Sequence, residues 1–112
     1  MKIALTTLTL NKEFKRAYYQ GKFKAHPLVV SYVIKNHRNF PRIGITTSKK
    51  IGCAVKRNRC RRIIKRAYFE LLRDGFINKN YDYVFVARKD TPNSTTEKVK
   101  KAMKKHIELM VK

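Results

Sequence analysis

Apolar residues recur along this chain at two spacings, one helical and one of strand type, and each marks out an element. From Asn11, the residues Phe14, Ala17 and Tyr18 stand at helical spacing, with Asn11 as N-cap, Glu13 near the positive helix end and Gly21 as the stop; this predicts a short first helix. Residues 28–34 (LVVSYVI) are β-branched and aromatic, bounded by Pro27 and by the polar run Asn36-His37-Arg38-Asn39. Residues 43–47 (IGITT) follow Pro41, so the two segments predict adjacent strands of a hairpin. Beyond the connector 48–52, Cys60, Ile63, Ile64, Ala67, Tyr68 and Leu71 fall on one side of a helix predicted over 55–73, which Asp74-Gly75 should end. Residues 82–88 (DYVFVAR) read as another strand, and Pro92 marks a turn. Ser94, with Glu97 three residues on, forms a capping box ahead of Val99, Ala102, Met103, His106, Ile107 and Met110, the stripe of a final amphipathic helix. Strands and helices interleave, so helices must cover the sheet on at least one face, an α/β (α+β) two-layer sandwich. The base rate for a crossover through the long helix is right-handed.

At 112 residues the chain is expected to be a single domain, 1–112, able to bury one modest core. Apolar residues at 43% argue against a disordered basic tail, which lacks the side chains to offset chain entropy. The opening MKIALTTLTLNKEF has no continuous apolar run and no 18-residue apolar stretch occurs, so a soluble cytoplasmic protein is expected. Cys53 and Cys60 are seven residues apart; if both are helical, a rise of 1.5 Å per residue puts them roughly 10 Å apart, beyond disulfide reach. Neither belongs to a C-x-x-C pair, so they read as ordinary reduced residues rather than zinc ligands.

Charge changes the picture most. Between Glu13 and Glu70 lie 56 residues without Asp or Glu but with 16 Lys and Arg, nine of them within residues 49–66. The net charge is +21, of which that window supplies +16. Such self-repulsion is tolerable mainly when a highly charged partner neutralises it, and nucleic acid is the default partner. On the long helix, Asn58, Arg61, Arg62 and Lys65 fall opposite the apolar stripe, with Arg57, Arg59 and Arg66 on the flanks. Solvated helix faces usually mix signs for i,i+4 pairing, and this face carries no acid, which favours a binding surface over a merely solvated one. Arg forks onto phosphate oxygens or stacks on bases, which suits structured RNA. Upstream, Ser48-Lys49-Lys50-Ile51-Gly52 approaches the helix N-terminus, a geometry that also favours phosphate, although a plain connector with two exposed lysines would look the same.

The stretch SKKIGCAVKRNRCRRIIKRAY resembles the signature of the bacterial ribonuclease P protein subunit, whose Arg-Asn-Arg core is here Arg57-Asn58-Arg59, followed by Arg61, Arg62 and Lys65. The early EFKRAYYQG, the GITTSKK segment, YDYVFVARKD and the C-terminal helix recur in the family's order over essentially the whole chain. The resemblance implies an α-β-β-β-α-β-α fold with a left-handed β-α-β crossover through the signature helix, against the base rate. It also implies a strand near residues 21–26 that hydrophobic patterning does not reveal. It implies a protein that assists an RNA enzyme: Mg²⁺, held mainly by the catalytic RNA subunit, supports hydrolysis that removes the 5′ leader of precursor tRNA. The expected partners are ribonuclease P RNA and precursor tRNA, with no membrane and no DNA. Lys49, Lys50, Arg57, Asn58, Arg59, Arg61, Arg62 and Lys65 carry over as contacts to the RNA subunit, and Phe14, Tyr18 and Tyr32 as the lining of a leader-binding cleft.

Spacing alone fits a second reading of those aromatics. Phe14 and Tyr18 stand at i and i+4, as in any core-facing stripe, and Tyr32 alternates with Val30 and Ile34. As base platforms they would stack unpaired nucleotides with little sequence preference. Phe23 and Tyr19 are further aromatics nearby. No catalytic residue is expected: the seven acids form no close pair for two metal ions, and the three histidines lack a nucleophile motif. His106, on the apolar stripe of the last helix, reads as a core or rim residue. The competing class is a structural ribosomal protein, which shares size, charge and RNA binding but has no leader cleft; a protein-only nuclease lacks its acidic metal cluster.

Overall fold

The computed structural model describes residues 7, 8 and 10–111; residues 1–6, part of the stretch read above for a leader, lie outside them. The elements are α1 (Asn11–Gln20), β1 (Lys22–His26), β2 (Val29–Lys35), β3 (Arg42–Thr46), α2 (Ala54–Arg73), β4 (Tyr81–Ala87) and α3 (Thr96–Met110), with 3₁₀ turns at Lys49–Ile51 and Thr91–Asn93. The order is thus α-β-β-β-α-β-α, with a strand where the resemblance required one.

The sheet runs β1-β2-β4-β3. Here one expectation fails: the second and third strands are not a hairpin. β2 pairs antiparallel with β1 on one side and β4 on the other, while β3 pairs in parallel with β4 and is bridged on its outer side at Ile43 by Thr7. The physical reason lies in β4, whose residues Asp82, Tyr83, Val84 and Phe85 are all buried; the strand apolar on both faces takes the centre. The hairpin of this fold joins β1 to β2 through Pro27-Leu28.

Two helix starts also differ from expectation. Leu10, not Asn11, is the N-cap of α1, and Glu13 reaches back to accept from the Leu10 backbone N–H at 3.1 Å. Thr95, not Ser94, caps α3, its hydroxyl accepting from the Lys98 N–H at 3.3 Å. Ser94 instead ends the preceding 3₁₀ turn, so the cap is displaced by one residue. The end of α2 is as expected: Phe76 N–H bonds the Leu71 carbonyl and Gly75 N–H the Leu72 carbonyl, a Schellman closure with Gly75 at φ 84°.

Alternation along the strands divides the sheet into two faces. Val29 and Val33 of β2, Ile43 of β3, and Tyr83, Phe85 and Ala87 of β4 face α2 and α3, meeting Ile64, Ala67, Tyr68 and Leu71 of α2 and Val99, Met103 and Ile107 of α3. The opposite face carries Tyr32, Ile34 and Val84, against which α1 places Phe14, Ala17 and Tyr18. So α1 lies on the far side of the sheet from the other two helices and covers only part of that face. At its end Gly21 is obligatory, because a Cβ there would stand 2.5 Å from the Ala17 carbonyl oxygen and 2.7 Å from that of Val33.

A buried ionic cluster fixes α1 to the sheet. Asp82 receives Arg42 through two bonds, Nε to Oδ1 at 3.0 Å and Nη2 to Oδ2 at 2.6 Å, and Asn36 Nδ2 at 2.8 Å. Arg42 Nη1 also bonds the Glu13 carboxylate on α1. Its guanidinium is held charged chiefly by the hydrogen bond to Asp82.

Candidate nucleic-acid interface

The basic residues singled out in the sequence lie on the 3₁₀ turn before α2 and on the first three turns of α2. Lys49 and Lys50 are exposed on the 3₁₀ turn before α2, and Gly52, at φ 130°, makes the bend into the helix. On α2, Asn58, Arg59, Arg61, Arg62 and Lys65 are exposed and Arg57 is half-buried. Arg61 Nη1 donates to Asn58 Oδ1 at 3.1 Å, which orients the guanidinium along the helix. Among the described residues none of these cations enters a salt bridge. The basic residues at the other end of the helix differ: Arg66 pairs with Glu70 at 2.8 Å and Arg73 with Asp74 at 3.1 Å. Glu70 is held below its usual carboxylate range by the hydrogen bond from Arg66 and then by Lys100. The first half of α2 therefore carries unbalanced positive charge, reinforced by the positive helix end. At that end the exposed Cys53 thiol is pulled below its ordinary value, chiefly by the Lys56 backbone N–H.

The predicted cleft aromatics lie across the sheet from α2. Tyr18 and Tyr32 meet edge to face, ring centroids 5.0 Å apart, and the Tyr18 hydroxyl is hydrogen-bonded to Thr46 Oγ1 on β3. Phe14 packs against Gly44, where a Cβ would stand 2.6 Å from its ring. All three are partly buried, so they are both packing and surface. Phe23, noted in the sequence only as an aromatic nearby, joins this group. Register places it directly opposite Tyr32, which in turn is opposite Val84 and then Gly44, a row across the whole sheet. Its ring stacks on Tyr32 at 5.5 Å and 28°, and the residue is 60% exposed, on the opposite face of the sheet from its chain neighbours Lys22 and Lys24. The Lys-Phe-Lys alternation was the available signal, but it places Phe23 only once β1 is known to be a strand. Tyr19, 85% exposed, belongs elsewhere, beside Arg16 and Arg38 at the far end of α1.

The two sets are not isolated from each other. Arg61 and Lys65 reach around the β3 edge and line, with Phe14, Leu8 and the strand residues 43–45, a groove of about 280 Å³.

The family model described as Ribonuclease P matches residues 4–111. The chain belongs to the ribonuclease P protein family. The ribonuclease P protein component of Clostridioides difficile is 40% identical over 97 residues, covering 87% of this chain and 84% of the relative. That of a Clostridium botulinum strain is 40% identical over 93 residues, covering 83% of each. Among solved structures, the Staphylococcus aureus RNase P protein superposes with a TM-score of 0.79 at 26% identity, covering 95% of both chains. The Thermotoga maritima RNase P protein gives 0.74 at 25%, covering 93% and 94%. As a ribonuclease P protein, this chain is a component of a ribonucleoprotein endoribonuclease of tRNA processing, and its implied partner is the ribonuclease P RNA.

The described residues of this ribonuclease P protein offer no grouped donor set for a metal ion. Among the described residues no three His, Cys, Asp or Glu stand close enough to hold an ion. Asp82, Glu70 and Asp74 are each engaged by cations of the same chain. No described helix is long and apolar enough to cross a membrane.

Proposed function

We propose that the surface formed by Lys49, Lys50, Arg57, Asn58, Arg59, Arg61, Arg62 and Lys65 docks the catalytic RNA subunit. In the same reading Phe14, Tyr18 and Tyr32, with Phe23, hold the 5′ leader of precursor tRNA. The observation that carries this is the continuity at the β3 edge: a row of aromatic rings, suited to unpaired bases, leads to Arg61 and Lys65 on the acid-free helix. Stacking on a ring contributes about 1–3 kcal/mol per base without demanding a sequence, as a processing factor for many precursors requires. The cations neutralise phosphates and release counterions from the RNA. In this reading the RNA subunit would hold the Mg²⁺ that supports hydrolysis, and the protein raises substrate affinity and screens charge in the cytoplasm.

Two substitutions test the two surfaces separately. Arg59→Ala with Arg62→Ala should weaken binding of ribonuclease P RNA and reduce the salt dependence by about one unit per lost phosphate contact, with melting scarcely changed because both side chains are exposed. Tyr32→Leu should weaken binding of precursor tRNA to the holoenzyme while leaving mature tRNA unaffected. Unchanged affinity and salt slope in the first case, or equal effects on both tRNAs in the second, would refute the assignment.

A further inference from the structure

At the β1 edge of the sheet, remote from the β3 edge where Arg61 and Lys65 emerge, lies a second basic concavity. Its volume is about 390 Å³, within the range of small-ligand clefts, about 300–1,000 Å³. Leu28 and Ala102 supply an apolar wall, and His26, His106 and three lysines of α3 supply the rest. Those lysines, Lys98, Lys101 and Lys105, stand at i, i+3 and i+7, a single stripe on one side of the helix.

The treatment of the other α3 cations sets this stripe apart. Lys100 is paired with Glu70 at 3.2 Å and Asp74 at 3.6 Å, and Lys104 sits 4.3 Å over the Phe76 ring. Lys98, Lys101 and Lys105 enter no salt bridge among the described residues, although Glu97 and Glu108 are within a turn of them. Like charges one turn apart destabilise a helix, so an uncompensated stripe facing a concavity points to an anion supplied from outside.

The histidines are held as a binding site would hold them. His106 is buried and its Nδ1 lies 2.7 Å from the Ser31 hydroxyl, which fixes the ring in the floor of the concavity. His26 Nδ1 accepts from the Leu28 backbone N–H at 3.1 Å, so the neutral ring carries its proton on Nε2, where it can donate to a ligand. The two ring centroids are 6.3 Å apart. Burial lowers the His106 pKa first, and the positive surroundings of His26, Lys24 and Lys105 lower it further. Asp90, beside His26 in the adjoining depression, is flanked by Arg88 and Lys89.

We propose that this concavity is a phosphate-binding site, with Lys98, Lys101 and Lys105 neutralising the phosphoryl oxygens and His26 donating to one of them. Its ligand chemistry is a phosphodiester of RNA, which rests on RNA being the partner of this protein. The protein would then contact RNA at both lateral edges of its sheet.

The test begins with the isolated protein and inorganic phosphate, followed by side-chain imidazole and backbone amide NMR. Phosphate should shift the His26 and His106 ring signals at millimolar concentrations at constant ionic strength, and K101Q/K105Q should abolish those shifts while the amides of Arg59 and Arg62 respond as before. Both lysines are exposed, so the variant should keep its fold. In the holoenzyme, a lower salt slope for ribonuclease P RNA binding by K101Q/K105Q would assign the phosphate to the RNA subunit. Equally weakened precursor and mature tRNA would assign it to the tRNA body. Histidine rings that ignore phosphate while the α2 amides move, or shifts that survive in K101Q/K105Q, would overturn the proposal and leave the α2 reading intact. Loss of response at α2 alone would do the converse.

Discussion

Gly44 is the position where the fold and the proposed leader groove depend on the same few atoms. It lies at the end of the row Phe23–Tyr32–Val84–Gly44, and Phe14 of α1 rests on it. In Gly44→Ala the new methyl would stand 2.6 and 2.8 Å from two carbons of the Phe14 ring and 3.1 Å from Leu8 Cδ1. Carbon atoms pack at about 3.5–4.0 Å, so the ring must move by close to an ångström or leave the sheet. Overpacking of this kind costs about 1–3 kcal/mol. Loss of chain entropy in the unfolded state offsets about 0.4–1 kcal/mol of that, since Gly44 has no positive φ to violate. A net loss of about 1–2 kcal/mol, or about 4–8 °C in Tm for a chain of this size, is expected in thermal melts. The decisive assay is a double-mutant cycle with Phe14→Ala. With the ring gone the two closest contacts disappear and Leu8 Cδ1, at 3.1 Å on a flexible side chain, is the next, so Gly44→Ala should become close to neutral or stabilising, a coupling of about 1 kcal/mol or more. In binding assays Gly44→Ala should lower holoenzyme affinity for precursor tRNA and spare mature tRNA if the displaced ring is the leader platform proposed above. Strict additivity of the two stability changes would refute the packing argument. A stability loss with no change in leader affinity would refute the functional one.

Replacing Arg42 by Met removes the guanidinium bonded to the buried Asp82, whose side chain is 4% exposed, and should cost about 3–5 kcal/mol in chemical denaturation; adding Asp82→Asn should recover part of it, and a loss below about 1 kcal/mol would show that the carboxylate finds other partners. Stability should also depend on pH through His106. Its pKa is lowered in the folded state, so the unfolded chain binds more protons; the ring has no effect well above its ordinary value of about 6.5 and destabilises increasingly as pH falls below it, levelling once the folded ring is itself protonated. Melts between about pH 7.5 and 5.5 should show this fall, and His106→Gln should flatten it, whereas an unchanged slope would assign the effect to another group.

Much of the fold is legible in local pattern. The apolar stripes of α2 and α3 are visible at helical spacing because each helix buries one side against the sheet, and Asp74-Gly75 ends α2 because only glycine enters the left-handed closure cheaply. The acid-free face of α2 is likewise written in composition and spacing alone. β1 is different. Its sequence KFKAH alternates polar and apolar, but it is exposed at every position except His26 and forms an edge strand, so the alternation marks no buried face and is too short to announce a strand. It exists because β2 offers it a ladder, a condition invisible within five residues.

Sheet order is the second thing that only the tertiary structure decided. Local periodicity states that β2, β3 and β4 are strands, but their neighbours depend on which strand can be buried on both faces, and the central place of β4 separates the two segments that sequence proximity would pair. From that order follow the row that brings Phe23 to Tyr32 and the edge where Arg61 and Lys65 approach Phe14. The sequence by itself determined the period of each element and the sign of its surface, because both are properties of neighbours along the chain. Which surfaces meet was decided by long-range burial, because the free energy of covering an apolar face belongs to the pair of elements and not to either one.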